Sequence, residues 1–225
     1  MMGIASQVLF QNREEAVKAL INELPIDDFS EKNTIVLGVS EGGVYFAHEL
    51  SKKLDIPMNI LLSEPIYSLV NPELTIAMVG ETEEVIIHKA LVEAFNIPKD
   101  YIYNEAQNKY ADEILGYISK YRNGEGLKKL DDKCVILTDE CVETGMTMMV
   151  AVKTAISLGA KNIFIAVPVL DNVVYESLVT ICDNIFCPHR IDDYISLDYY
   201  YEKIERFSFE KIEAIMNENR IGKKH

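Results

Sequence analysis

Basic residues are scarce in this chain. Its 22 lysines and arginines stand against 36 aspartates and glutamates, a net charge of −14. General binders of nucleic acid or anionic membranes need a basic surface, so both classes are disfavoured. Any phosphate site in such a field must be a local exception built from nearby donors. A long apolar run is also missing. No window approaches the ~20 apolar residues of a membrane span. The opening MMGIASQVLF has no basic leader and no extended apolar core. A soluble cytoplasmic protein is the expectation. The four cysteines, Cys134, Cys141, Cys182 and Cys187, form no CxxC pair, which reads as free thiols in a reducing compartment. Cys182, Cys187 and His189 match no zinc spacing, so a structural role is preferred for them. Neither internal repeats nor low-complexity segments are present.

What is present is ordinary for a chain that buries a core: 48% apolar and 26% charged residues over 225 positions. The pattern alternates apolar strand runs with amphipathic helices. Asn12 with Glu15 has the spacing of a capping box and opens a helix that Pro25 ends. Within it Arg13 is out of place, a cation at a helix start where the dipole disfavours it unless it has a partner. Residues 34–39 read as a buried strand, 40–43 (SEGG) as a turn, and 44–54 as a helix. The run 58–62 is a second strand, followed by a Ser63-Glu64-Pro65-Ile66 loop. Residues 74–79 and 85–88 flank GETE in a hairpin signature. His88, at its end, reads as a surface residue. Residues 100–121 form the longest helical stretch, its tyrosines read as packing residues. Further strands are expected at 162–167 and near 184–186, with helices at 147–158, 172–179 and 208–219, and a basic frayed tail at 220–225. Strand–helix alternation of this kind predicts an α/β fold with a doubly wound, mostly parallel sheet and a small hood lobe containing the hairpin. We expect one domain over residues 1–225, with about 63–100 inserted as a hood or lid.

Residues 134–150, CVILTDECVETGMTMMV, concentrate the chemistry. An apolar strand ends in paired acids, Asp139 and Glu140, then turns through Thr144-Gly145-Met146-Thr147 into a helix. A helix start offers unpaired N–H groups and a positive dipole end to an anion. Thr144 and Thr147 add hydroxyl donors, and Gly145 allows close backbone approach. The two carboxylates suit neighbouring sugar hydroxyls or a Mg²⁺ shared with them. Ligands of open α/β sheets sit beyond the carboxyl ends of the strands. This places Ser40-Glu41-Gly42-Gly43, Ser63-Glu64 and residues 139–147 on one edge, around a site for a phosphorylated sugar.

This signature resembles the phosphoribosyl diphosphate (PRPP) motif of type I phosphoribosyltransferases. The chain is most similar to a bacterial branch of predicted members, along nearly its whole length. Residues 12–16 (NREEA), 42–44 (GGV), 71–74 (NPEL), 134–150 and 166–169 (AVPV) carry the likeness in the family's order. The resemblance implies transfer of phosphoribosyl from Mg²⁺-bound PRPP to a nitrogenous base, with pyrophosphate released. Asp139 and Glu140 would hold the ribose hydroxyls and contribute to Mg²⁺. Glu143, Thr144, Gly145, Met146 and Thr147 would surround the 5-phosphate, and Ser40, Glu41, Gly42 and Gly43 would form the pyrophosphate loop. Glu143 matches a position where purine-salvage members carry an acid, so it reads as a general base or purine contact, and equally as a solvated loop acid. The partner implied is a small molecule of unspecified base; nucleic acid and membrane are not. Homodimers are common in the family.

Two positions depart from the branch. An Arg is expected where Glu41 stands, and a Lys where Glu64 stands. At an effective dielectric of about 20, unit charges ~4 Å apart interact by about 4 kcal/mol, here repulsively toward pyrophosphate. Three readings follow: an active transferase, a binding protein that senses a nucleotide or PRPP without turnover, and a structural or partner-binding protein that uses only the fold.

Overall fold

The computed structural model describes residues 8–29, 33–205 and 207–221. The expectations for the N-terminal leader and for most of the basic tail lie outside these residues. In chain order the elements are α1 (Arg13–Glu23), β1 (Thr34–Gly38), α2 (Glu41–Leu54), β2 (Met58–Ile60), β3 (Ser63–Tyr67), β4 (Thr75–Gly80), β5 (Val85–Ile87), α3 (Lys89–Ala94), α4 (Lys99–Lys109), α5 (Leu115–Arg122), β6 (Cys134–Thr138), α6 (Met146–Ser157), β7 (Asn162–Ala166), β8 (Val169–Asp171), α7 (Asn172–Leu178), β9 (Asn184–Phe186), β10 (His189–Ile191), α8 (Leu197–Tyr200) and α9 (Phe209–Ile221). A π-helical segment, Tyr110–Ile114, joins α4 to α5.

Five parallel strands form the main sheet in the order β2-β1-β6-β7-β9. Its central strands are apolar on both faces, as a doubly wound sheet requires. Val36 and Ile136 belong to a core shared with α1, α2 and α9. Leu37, Val135 and Leu137 belong to a second core under α6 and α7. Chain direction reverses between β1 and β6: β1 leads through α2 to β2 on one side, and β6 leads through α6 to β7 on the other. The crevice beyond the carboxyl ends of β1 and β6 is therefore the switch point of the sheet. On the outer edge Asn219 Nδ2 donates to Met58 O at 2.7 Å, tying α9 to β2.

A separate antiparallel sheet, β3-β4-β5, forms the hood. Met78 of β4 packs with Met146 and Val150, which seats the hood on α6. Ser63–Tyr67 is a strand here, where a loop was expected. Glu64 faces Val79 in the ladder, and Pro65 is tolerated because β3 is an edge strand. The SEGG segment also differs from expectation: α2 already begins at Glu41, with Ser40 as its cap accepting from Gly43 N at 2.9 Å. The glycines serve close approach. A Cβ on Gly42 would meet the Glu140 carboxyl carbon at 2.2 Å. A small parallel pair, β8 with β10, had no periodic signal to announce it, since each strand has three residues.

Candidate functional site

The α6 start is built by conformation rather than by a capping side chain. Gly145 occupies the N-cap at φ 72°, a left-handed position, and forms no side-chain cap bond. By contrast Asn12, Ser40, His88 and Asp171 cap α1, α2, α3 and α7 with their side chains. Thr144 Oγ1 lies 3.5 Å from Met146 N, at the limit of a hydrogen bond. The N-terminal turn of α6 thus keeps its donors and dipole for something outside the helix.

That turn opens into a cleft of about 640 Å³ at the switch point, large enough for a nucleotide-sized ligand. Six of the anticipated residues meet there: Ser40, Glu41, Glu143, Thr144, Met146 and Thr147. Glu64 lines the wall from the hood. Tyr117 and Tyr121, read only as packing residues, join the lining, and His88 enters it from the end of the hood hairpin. His88, read as a surface residue, also caps α3 by accepting from Leu91 N at 3.3 Å.

The paired acids are placed differently from each other. Asp139 is buried beneath the cleft, where its Oδ1 accepts from Ser40 Oγ and from Glu140 N at 2.8 Å. Burial pushes its carboxyl up to about 7, with the Ser40 bond opposing and the Glu140 charge reinforcing. Glu140 turns toward Arg13, whose Nε donates to its Oε2 at 2.7 Å, and its backbone carbonyl accepts from Tyr201 OH at 2.9 Å. Arg13 lies over the Phe207 ring at 4.5 Å from its centroid. Arg13, Glu41, Gly42, Glu140 and Phe207 line a neighbouring recess. The anomalous cation of α1 is explained: its partner is the second acid of the signature, 127 residues away.

The charge at Glu64 is set by its neighbours as well as by its residue type. Its carboxyl is half-buried and hydrogen-bonded to Glu113. Burial first, then that bond and the Glu113 charge, raise it to about 7, while Lys109 opposes. Glu113 is held low by its bond to Lys109. Of the two carboxyls Glu64 therefore holds a proton the more tightly, while Glu113 lies beside a lysine. The expected repulsion from Glu64 is reduced wherever that proton is retained. Glu41 is exposed at the first turn of α2.

An uncapped helix start at the switch point of a parallel sheet, under an antiparallel hood, defines a doubly wound α/β fold with its open crevice at the carboxyl ends of the strands. The model of the phosphoribosyl transferase domain matches residues 6–203, and the chain belongs to that family. A Mycobacterium tuberculosis (strain H37Rv) protein named "Putative phosphoribosyl transferase" is 22% identical over 209 residues, and strain CDC 1551 has a match of the same extent. These cover 93% of this chain and 46% of the relative, so the chain spans about half the length of the curated relatives it matches. Among solved structures, TT1426 from Thermus thermophilus superposes with TM-score 0.73 at 24% identity, covering 93% of this chain and 98% of that one. The fold is that of the type I phosphoribosyltransferases. Among the described residues no helix is long and apolar enough to cross a membrane.

Proposed function

We propose that the cleft binds PRPP through its ribose 5-phosphate half and transfers the phosphoribosyl group to a nitrogenous base. The carrying observation is the uncapped N-terminal turn of α6, with Thr144 and Thr147 beside it, opening at the switch point of the sheet. The 5-phosphate would accept from these N–H and hydroxyl groups. Ser40, Glu41, Gly42 and Gly43 would stand at the pyrophosphate, and Asp139 and Glu140 at the ribose hydroxyls. In the reaction the bond from the anomeric carbon to the pyrophosphate oxygen breaks, and its electron pair leaves with pyrophosphate. A base nitrogen attacks the cation-like carbon, and its proton needs an acceptor, a role suited to Glu143 at the cleft rim. Holding both partners in one cavity supplies much of the acceleration.

The donor set suits Mg²⁺, being carboxylate oxygens only. Among the described residues no group of three His, Cys, Asp or Glu side chains gathers as a metal cage. The ion would therefore take most of its shell from substrate oxygens and water, with Asp139 or Glu140 as its protein ligand. Bound there, it would neutralise charge on the leaving pyrophosphate. Two observations favour a second reading, a nucleotide or PRPP sensor without turnover: Glu41 stands exposed at the pyrophosphate loop, and Glu140 is already engaged by Arg13.

Calorimetry with PRPP and Mg²⁺, beside a nucleoside monophosphate and a panel of bases, separates these readings. Base-dependent pyrophosphate release supports the transferase. Monophosphate binding without release supports the sensor where cleft substitutions weaken it, and silence with every ligand overturns both. Asp139→Asn with Glu140→Gln is expected to weaken either phosphorylated ligand tenfold or more. Unchanged affinity in that variant would remove the ribose assignment. Glu41→Arg is expected to strengthen PRPP more than monophosphate. Sedimentation tests whether the chain is the homodimer that its family suggests.

A further inference from the structure

A second cavity, of about 450 Å³, lies at the opposite edge of the sheet, where the strands begin. The starts of β1 and β2, the segment after α5 and the end of α9 enclose it. Arg122, the last residue of α5, lines it and is 6% exposed. Its Nη2 donates to Glu81, but Nε and Nη1 are buried with no hydrogen-bond partner. Lys128, Lys129 and Lys133 stand around the same cavity, against one acidic residue in the lining, Glu125. In a chain of net charge −14 this is a local reversal of sign.

The guanidinium is the part of this cluster that calls for a ligand. A guanidinium carries five N–H donors and stays charged at any ordinary pH. Burying such donors unmet is unfavourable, and nearly all buried polar groups in folded proteins find a partner. Glu81 pairs with Arg122 through Nη2 alone, and Leu62 N shares the same carboxylate. Met58, Leu127 and Met216 give the cavity an apolar wall. Arg122 also connects this edge to the cleft: Glu81 Oε1 accepts from Leu62 N at 3.1 Å, and Leu62 lines the cleft.

We propose that this cavity is a second anion site, separate from the cleft, that takes a phosphomonoester with a flat or apolar body. The phosphate meets the three lysines within the positive field of the buried Arg122, and the body lies against the methionines and Leu127. The site does not depend on the cleft's reading as a PRPP site.

Calorimetric titration of the full chain with adenosine 5′-monophosphate, adenosine and inorganic phosphate tests it. Four proteins are compared: the unaltered chain, Lys128→Glu with Lys129→Glu, a cleft variant carrying Thr144→Ala with Thr147→Val, and a charge control carrying Lys52→Glu with Lys53→Glu on α2. Lys128 and Lys129 are exposed, so their replacement leaves the core intact. The expected result is a class of monophosphate sites that weakens at least tenfold in Lys128→Glu/Lys129→Glu and stays within about twofold in the other two variants. Adenosine should not occupy it, and inorganic phosphate should bind more weakly than the ester. Full affinity in Lys128→Glu/Lys129→Glu, loss in the cleft variant alone, equal loss in the charge control, or no binding at all would each overturn the proposal.

Discussion

Glu64 lines the cleft, and three effects combine to raise its carboxyl: partial burial, the Glu113 bond and the Glu113 charge. The consequence for stability has a definite sign. Its folded value, about 7, lies above the ordinary 4.5, so the native state binds more protons than the unfolded chain between those limits. Stability from this group is greatest below the unfolded value and declines as pH rises through about 7. Asp139, raised from 3.8 to about 7 mainly by burial, acts in the same direction. Urea unfolding at pH 5 and pH 8 should show a loss of stability in the unaltered chain and a smaller loss in Glu64→Gln. Equal losses would mean that Glu64 is ionised like a surface carboxylate. Arg13 was legible in the sequence as an anomaly, a cation at a helix start, though its partner was not. Glu140 is distant in sequence, and no local rule pairs the two. The neighbours of Glu64 were hidden for a related reason. Charge was read from residue type, while protonation depends on Glu113 and Lys109, which the hood and the long helix bring together.

At the scale of elements, the strand–loop–helix units were readable because their signals are local and repeated. Residues 134–138 and 162–166 are continuous apolar runs, Asn12 caps α1, and Gly159 stops α6 at φ 91°. Short strands were not readable. β8 and β10 have three residues each, too few for a period, and β3 contains a proline that argues for a loop. The α6 start joins local and distant causes. Gly145 must be left-handed, and a Cβ there would meet Val174 Cγ1 at 2.5 Å. Gly145→Ala should therefore cost about 2 kcal/mol through backbone strain and that clash, lowering the melting temperature by roughly 4–8 °C. The same variant should weaken binding of ribose 5-phosphate, because the turn that presents the N–H groups is displaced. A variant with unchanged melting and binding would show that the turn relaxes freely.

Across the whole molecule, the doubly wound, mostly parallel sheet was the part of the fold that strand–helix alternation could anticipate, because parallel strands joined by helices allow few topologies. The assembly of the cleft was anticipated in part. Loops from the ends of β1 and β6 meet as the switch-point rule requires. His88, Tyr117 and Tyr121 enter from the hood and the long helix, whose packing against the sheet no local pattern encodes. The basic cavity at the far edge is of the same kind. Its cations lie on an ordinary-looking loop, and only the fold sets them around Arg122.

The bond from Asn219 to Met58 has a meaning beyond its own strength. β2 ends the main sheet, and alternate backbone groups on such a strand face outward, free to pair with another chain. Asn219 occupies the outward carbonyl of Met58, while Ile212, Ile215 and Met216 of the same helix are buried beside the strand. α9 thus covers the edge that another strand would otherwise meet. A chain ended before Phe209 should form concentration-dependent β-rich aggregates, visible by light scattering and thioflavin fluorescence, under conditions where the full chain stays dispersed.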